Sequence, residues 1–196
     1  AVLRRRVNLE DQEHSRHLAY LGSIDGQLST IDLSDASDRV PWSLIKSWMR
    51  GTCLLPPLWM TRSRRATVGS EVIEQNKFAP MGSALCFPVE CIVFCSIVEA
   101  SIQAVGGPTR DSLYRVYGDD IIVETRYAPE VIRRLTRNGF VVNESKSFFL
   151  KKSHNFRESC GGEFYDGVDV TPVRISRKFS GFTRGKRTRP SSIAAL

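Results

Sequence analysis

Residues 81–107, MGSALCFPVECIVFCSIVEASIQAVGG, are apolar on nearly every side. A helix of that kind is stable only when other elements cover it all round. Ser83 is a candidate cap at its start, Pro88 is expected to interrupt or kink it, and Gly106-Gly107 to end it. No run of 18 consecutive apolar residues occurs, so no membrane span is expected. The cover must come from the rest of the chain. With 196 residues, 41% hydrophobic and 25% charged, one globular domain with a sizeable core is within reach.

The flanking patterns point to that cover. QLSTIDL (27–33) reads as a strand ending at Asp32-Leu33, SDASDRVP as a polar turn, and WSLIKSWMRGTCLL (42–55) as a helix closing before Pro56-Pro57. RRATVGSEVIEQNKF (64–78) predicts a hairpin turning at Gly69-Ser70. SLYRVYGDDIIVETR (112–126) predicts strand, two-residue turn and strand, since Gly118 and Asp119 both tolerate positive φ. APEVIRRLTRNG (128–139) has Pro near its start and Gly139 just past its end, as a short helix should. FVVNESKSFFL, GGEFY and GVDVTPVRI look like further strands. The order predicts an α+β fold, with a mostly antiparallel sheet and helices packed on one face.

The net charge of +7 is unevenly placed. Seven basic residues and no acid lie between Val170 and Leu196, and the rest balances, 21 basic against 21 acidic. A polyanion partner or a solvated, disordered tail would each account for that excess. The five cysteines are an odd number without CxxC spacing. Cys91 and Cys95, i, i+4 in an apolar stretch, read as buried apolar residues rather than metal or disulfide partners, and His14 and His17 lack the neighbours a zinc site needs. The chain begins without Met and lacks a signal-peptide core, so a piece of a longer intracellular protein is expected.

The carboxylates carry the chemistry. Asp119 and Asp120 are adjacent at a hairpin tip between apolar strands, where each raises the cost of ionising the other. A GDD turn alone is ordinary hairpin chemistry. If its strand neighbours the one ending at Asp32, three carboxylates converge at one sheet edge. Hard divalent cations take such oxygen ligands, and two of them can drive phosphoryl transfer.

TIDLSDASDRV, MGSALCFPVECIVF, VYGDDIIV, GFVVNESKSFF and FRESCGGEFYDGVDVTP occur in the order of polymerase palm motifs A to E. From about Arg5 to Ile175 the chain resembles the RNA-dependent RNA polymerase, the replicase catalytic subunit, of positive-strand RNA bacteriophages of the levivirus type. The resemblance implies that Asp32 and Asp119 bridge two Mg²⁺ ions (Mn²⁺ substituting), with Asp120 and the Leu33 carbonyl as further ligands. It implies that Asp38 senses the ribose 2′-hydroxyl and that Gly82 and Ser83 approach the nucleotide and template. Cys86 and Glu90 stand where many other viral polymerases have Thr and Asn, though phage replicases tend to carry an acid at the second place. Lys146 is implied as general acid to the departing pyrophosphate, and Arg157 as a grip on the priming strand. Arg62, Arg64 and Arg65 are candidate RNA-phosphate contacts.

The division expected on this resemblance is a fingers remnant at 1–16, a palm at 17–152, motif E strands at 153–175 and a basic tail at 176–196. Most of the fingers and thumb would lie outside the chain, leaving it inactive alone. The implied substrates are ribonucleoside triphosphates and an RNA template, in the cytoplasm of a bacterial host and with no membrane. Host translation factors and a ribosomal protein are the implied holoenzyme partners. Two alternatives stay open: a reverse-transcriptase palm, and a non-catalytic RNA-binding fragment acting through its basic tail.

Overall fold

In chain order the elements of the computed structural model are α1 (Glu13–Asp25), β1 (Leu28–Ile31), β2 (Leu33–Ser34), a 3-10 turn (Ser37–Arg39), α2 (Trp42–Trp48) and α3 (Leu55–Thr61). There follow β3 (Arg65–Val68), β4 (Glu71–Glu74), α4 (Cys86–Ala104), β5 (Tyr114–Tyr117), β6 (Asp120–Glu124), α5 (Ala128–Arg137) and β7 (Val141–Val142). The last are β8 (Phe156–Ser159), β9 (Gly162–Tyr165) and β10 (Val168–Asp169). The structure describes residues 6, 7, 9, 11–149 and 155–173; the basic tail expected at 176–196 lies outside them.

The central sheet has the order β1-β6-β5, antiparallel throughout. β6 is apolar at successive positions because both faces of the sheet are covered. Ile121 and Val123 pack into the large core with Val93, Phe94, Ile97 and Val98 of α4 and with Val131 and Leu135 of α5. Ile122 points the other way, into a smaller core with Leu18 and Ala19 of α1, Leu28 and Phe164. Helices therefore lie on both faces, which corrects the expectation of one. The physical reason is the unbroken apolar run of β6, which needs cover on each side.

The α1 helix was not legible as a helix, and it runs across the boundary expected at 16–17. It lies very close to β1: a Cβ on Gly22 would stand 2.8 Å from the Leu28 carbonyl oxygen. Behind α1, β8, β9 and β10 form a second antiparallel sheet. β2 pairs with β7, and β3 with β4 across the expected turn, where Gly69 has φ of +63°.

Three helix expectations need correction. α4 begins at Cys86, and Ser83 offers its backbone carbonyl to the Cys86 N–H rather than a side-chain cap. Pro88 falls in the first turn, where a helix has no N–H bond to lose, so α4 runs unbroken through it. The helix expected over 42–55 ends at Trp48, and Pro56-Pro57 lie in the first turn of α3 instead of beyond a helix end. The 19 residues of α4 are long and apolar enough to cross a membrane by length and composition alone. Here most of its surface is buried within the protein.

Candidate functional site

The site is built at the end where β1 and β6 run out together. Their register pairs Ile31 with Ile121, so Asp32 leaves β1 directly beside the start of β6 at Asp120. β5 and β6 are joined through Gly118 and Asp119, with Tyr117 paired to Asp120. Gly118 has φ of +61°, which suits the first central position of a tight hairpin turn. A Cβ there would stand 2.6 Å from Phe87 Cε2, so the position has neither the backbone conformation nor the space for a side chain.

Asp32 is held by the loop after β7. The Asn143 side-chain amide donates to Asp32 Oδ2 at 2.9 Å, and the Asn143 backbone N–H donates to the Asp32 carbonyl at 2.9 Å. The Asp32 N–H in turn donates to Ser147 Oγ at 3.0 Å. Burial raises the Asp32 carboxyl above its ordinary value, the Asn143 bond and the Lys146 charge oppose that, and Asp119 adds to it. Lys146 thus stands near enough to Asp32 for its charge to act there, although its side chain is exposed.

Asp120 is buried more deeply. The Cys160 N–H donates to its Oδ2 at 3.0 Å, yet burial, reinforced by Asp119 and Asp32, raises it to about 6. Asp119 is exposed at the tip. Asp119 thus acts on both Asp32 and Asp120, because β1 and β6 are sheet neighbours.

A cleft of about 410 Å³ opens beside them, lined by Asp35, Ser37, Gly82, Ser83, Glu90 and Asp119 among others. Gly82 and Ser83 thus share this cleft with Asp119. Glu90, only 6% exposed, has its carboxyl pushed up to about 7 by burial and by Asp119. Asp38 sits in the 3-10 turn next to Ser37, in an ion pair with Lys77.

Oxygen donors of this type suit a hard divalent cation. Among the described residues, however, no group of three or more His, Cys, Asp and Glu side chains is arranged to hold a metal ion. Asp120 and Asp32 each accept a hydrogen bond through Oδ2, from the Cys160 backbone N–H and the Asn143 side chain respectively. Leu33 is buried in the β2–β7 pairing next to them.

The basic candidates separate. Arg157 is 1% exposed, its Nε donating to the Leu28 carbonyl at 2.6 Å and its Nη1 to the Phe156 carbonyl at 2.7 Å. It braces β8 against β1 and is not at a surface where a priming strand could be gripped, which corrects that expectation. Arg62 donates to the Gln75 and Lys77 carbonyls and lies over the rings of Trp42 and Trp59. Arg64 lies over the Trp59 ring, and Arg65 pairs loosely with Glu74; both are exposed.

Sequence reasoning missed Asn143, Ser147, Cys160, Phe87, Cys91 and Lys77. None carries a local pattern that links it to a carboxylate more than 25 positions away.

Fold and site together define an α+β domain with an acidic cleft at one end of an antiparallel sheet. The chain belongs to the RNA replicase, beta-chain family, whose model matches residues 1–183. It is 39% identical over 187 residues to the RNA-directed RNA polymerase beta chain of Escherichia phage MS2, covering 90% of this chain and 32% of that relative. Against the corresponding beta chain of Enterobacteria phage fr the identity is 38%, covering 87% and 30%. Against the RNA-directed RNA polymerase subunit beta of Qbeta virus (strain MX1) it is 34%, covering 88% and 28%. The chain thus spans about a third of the length of these relatives.

Proposed function

We propose that this chain is the palm of a phage RNA-directed RNA polymerase, adding ribonucleotides to a growing RNA on an RNA template. One observation carries the reading: the β1–β6 register brings Asp32 beside Asp120 and the Asp119 tip, at the edge of a cleft that Gly82, Ser83 and Glu90 also line. The names of the matched relatives support it, and they leave the reverse-transcriptase alternative without support among them.

Asp32 and Asp119 would hold two Mg²⁺ ions, or Mn²⁺ in their place, with Asp120 and the Leu33 carbonyl nearby. Such ions favour an ionised 3′-hydroxyl nucleophile and neutralise charge on the leaving pyrophosphate. Asn143 fixes the orientation of the Asp32 carboxylate. Asp38 and Glu90 would read the nucleotide sugar, and Gly82 with Ser83 would shape the wall against which the nucleotide lies. Lys146, beside Asp32, would hold the proton for the departing pyrophosphate. Arg62, Arg64 and Arg65, interleaved with Trp42 and Trp59, form a surface suited to RNA through phosphate contact and base stacking. In the whole protein the partners would include host translation factors and a ribosomal protein, in the host cytoplasm.

The test is Asp119→Asn in the full-length replicase. Nucleotide addition is expected to vanish while RNA binding persists; near-normal incorporation would rule the assignment out.

A further inference from the structure

Lys77 carries no motif, yet it makes a direct ion pair with Asp38, the residue that follows Ser37 of the cleft lining. Its Nζ stands 2.5 Å from Asp38 Oδ1. The backbone enforces the meeting. Trp42 N–H donates to the Asn76 carbonyl at 2.8 Å and Phe78 N–H to the Val40 carbonyl at 2.7 Å, so 76–78 run antiparallel to 40–42. Phe78 is buried at 2% exposure, which anchors the segment, and Arg62 Nη2 donates to the Lys77 carbonyl at 3.1 Å. Side-chain exposure is 28% for Lys77 and 53% for Asp38, so the ammonium is the more shielded partner and the carboxylate the one facing solvent. Both charges also act on Cys86, in the cleft wall next to Glu90.

An exposed carboxylate on a short 3-10 turn is otherwise free to rotate among hydration states. A lysine fixed through its backbone holds one oxygen, Oδ1, and leaves Oδ2 for another donor. A ribose hydroxyl is such a donor, and a site built to accept a hydroxyl's hydrogen bond rejects the analogue lacking it.

We infer that Lys77 is a positioning residue for sugar selection: it orients Asp38 so that the free carboxylate oxygen meets the ribose 2′-hydroxyl of the incoming nucleotide. The inference rests on the reading of this cleft as a ribonucleotide site. It makes Lys77 a determinant of specificity rather than a contact to the triphosphate.

The experiment measures kcat/KM for ribo- and deoxyribonucleoside triphosphates with the full-length replicase and its accessory subunits. The variants are Lys77→Met, Lys77→Arg and Asp38→Ala, with RNA affinity and thermal midpoint recorded for each. Lys77→Met is expected to cut the ribo-over-deoxy ratio by about tenfold or more, toward that of Asp38→Ala, and Lys77→Arg to restore most of it. Lys77→Gln serves as the uncharged variant should the methionine disturb folding. A ratio unchanged in Lys77→Met but collapsed in Asp38→Ala overturns the inference and leaves the ribonucleotide reading standing. An equal rise in KM for both sugars also overturns it, by assigning Lys77 to the triphosphate. A ratio unchanged in Asp38→Ala removes the sensor itself, and the reading of the cleft with it.

Discussion

The backbone N–H of Gly118 donates to the sulfur of Cys91 at 3.1 Å, which ties the turn carrying Asp119 to the core helix α4. Phe87, one helical turn earlier on α4, closes over the same glycine and stacks edge-on against Tyr117. The carboxylate tip is therefore supported from below by α4 rather than by its own two-residue turn.

Cys91→Ala leaves that buried N–H without an acceptor and should destabilise the fold by about 1–3 kcal/mol. Cys91→Ser keeps an acceptor in place and should lose less. Urea denaturation of the purified variants gives the comparison, and an alanine variant as stable as the parent would show the contact to be inert. Gly118→Ala should be the more damaging change in nucleotide addition, since it strains the turn and strikes Phe87 together.

Glu90 and Asp120 predict a pH dependence of stability. Burial raises Glu90 from 4.5 to about 7 and Asp120 from 3.8 to about 6. The folded chain holds these protons more tightly than the unfolded one. Their contribution is therefore fully present below the ordinary carboxylate values and is lost as pH rises through about 6 and 7. For Glu90 the loss is on the order of 3 kcal/mol. Glu90→Gln should flatten the change in unfolding free energy between pH 5 and pH 8, measured by denaturant titration. An unaltered slope in that variant would mean Glu90 is not the group responsible.

Asn143 is expected to matter for activity without touching substrate. The hydrogen bond its side-chain amide donates to Asp32 Oδ2 favours the ionised carboxylate, against the burial that disfavours it. In the full-length enzyme, Asn143→Ala should shift the acid limb of the pH–rate profile toward higher pH and lower the rate on its acid side. A profile that merely scales down at every pH would assign Asn143 to fold stability alone.

Arg157 and Arg64 should behave as opposites. Removing the buried guanidinium of Arg157 strands the Leu28 carbonyl and opens a cavity between the two sheets. Arg157→Ala should cost about 2–4 kcal/mol of stability. Arg64→Ala should leave stability within about 0.5 kcal/mol but weaken RNA binding, with a shallower salt dependence by roughly one counterion. Salt titrations of RNA affinity alongside thermal melts separate the two, and a salt slope unchanged in Arg64→Ala would remove that residue from the RNA surface.

Much of this molecule was legible before its fold was seen. The GDD hairpin, the apolar run of α4, the Gly69-Ser70 turn and α5 between its proline and Gly139 are each marked by residues close in sequence, and local composition encodes those. α1 was not legible, because its burial is narrow and its partners, β1, β8 and β9, come from distant parts of the chain. Pro88 and Pro56-Pro57 misled for a related reason. A proline's effect depends on which turn of a helix it occupies, and the helix start is set by packing.

The sequence by itself determined which residues carry charge and where the chain turns: Asp32 at a strand end, and Gly118 with Asp119 and Asp120 at a hairpin tip. Only the tertiary structure decided what those charges meet. The β1–β6 register set Asp32 beside Asp120, the loop after β7 brought Asn143 to Asp32, and the pairing of 76–78 with 40–42 brought Lys77 to Asp38. It also withdrew Arg157 from the surface. The reason is physical: ionisation and hydrogen bonding depend on distances of a few ångströms, and those are fixed by long-range packing of apolar faces rather than by neighbours along the chain.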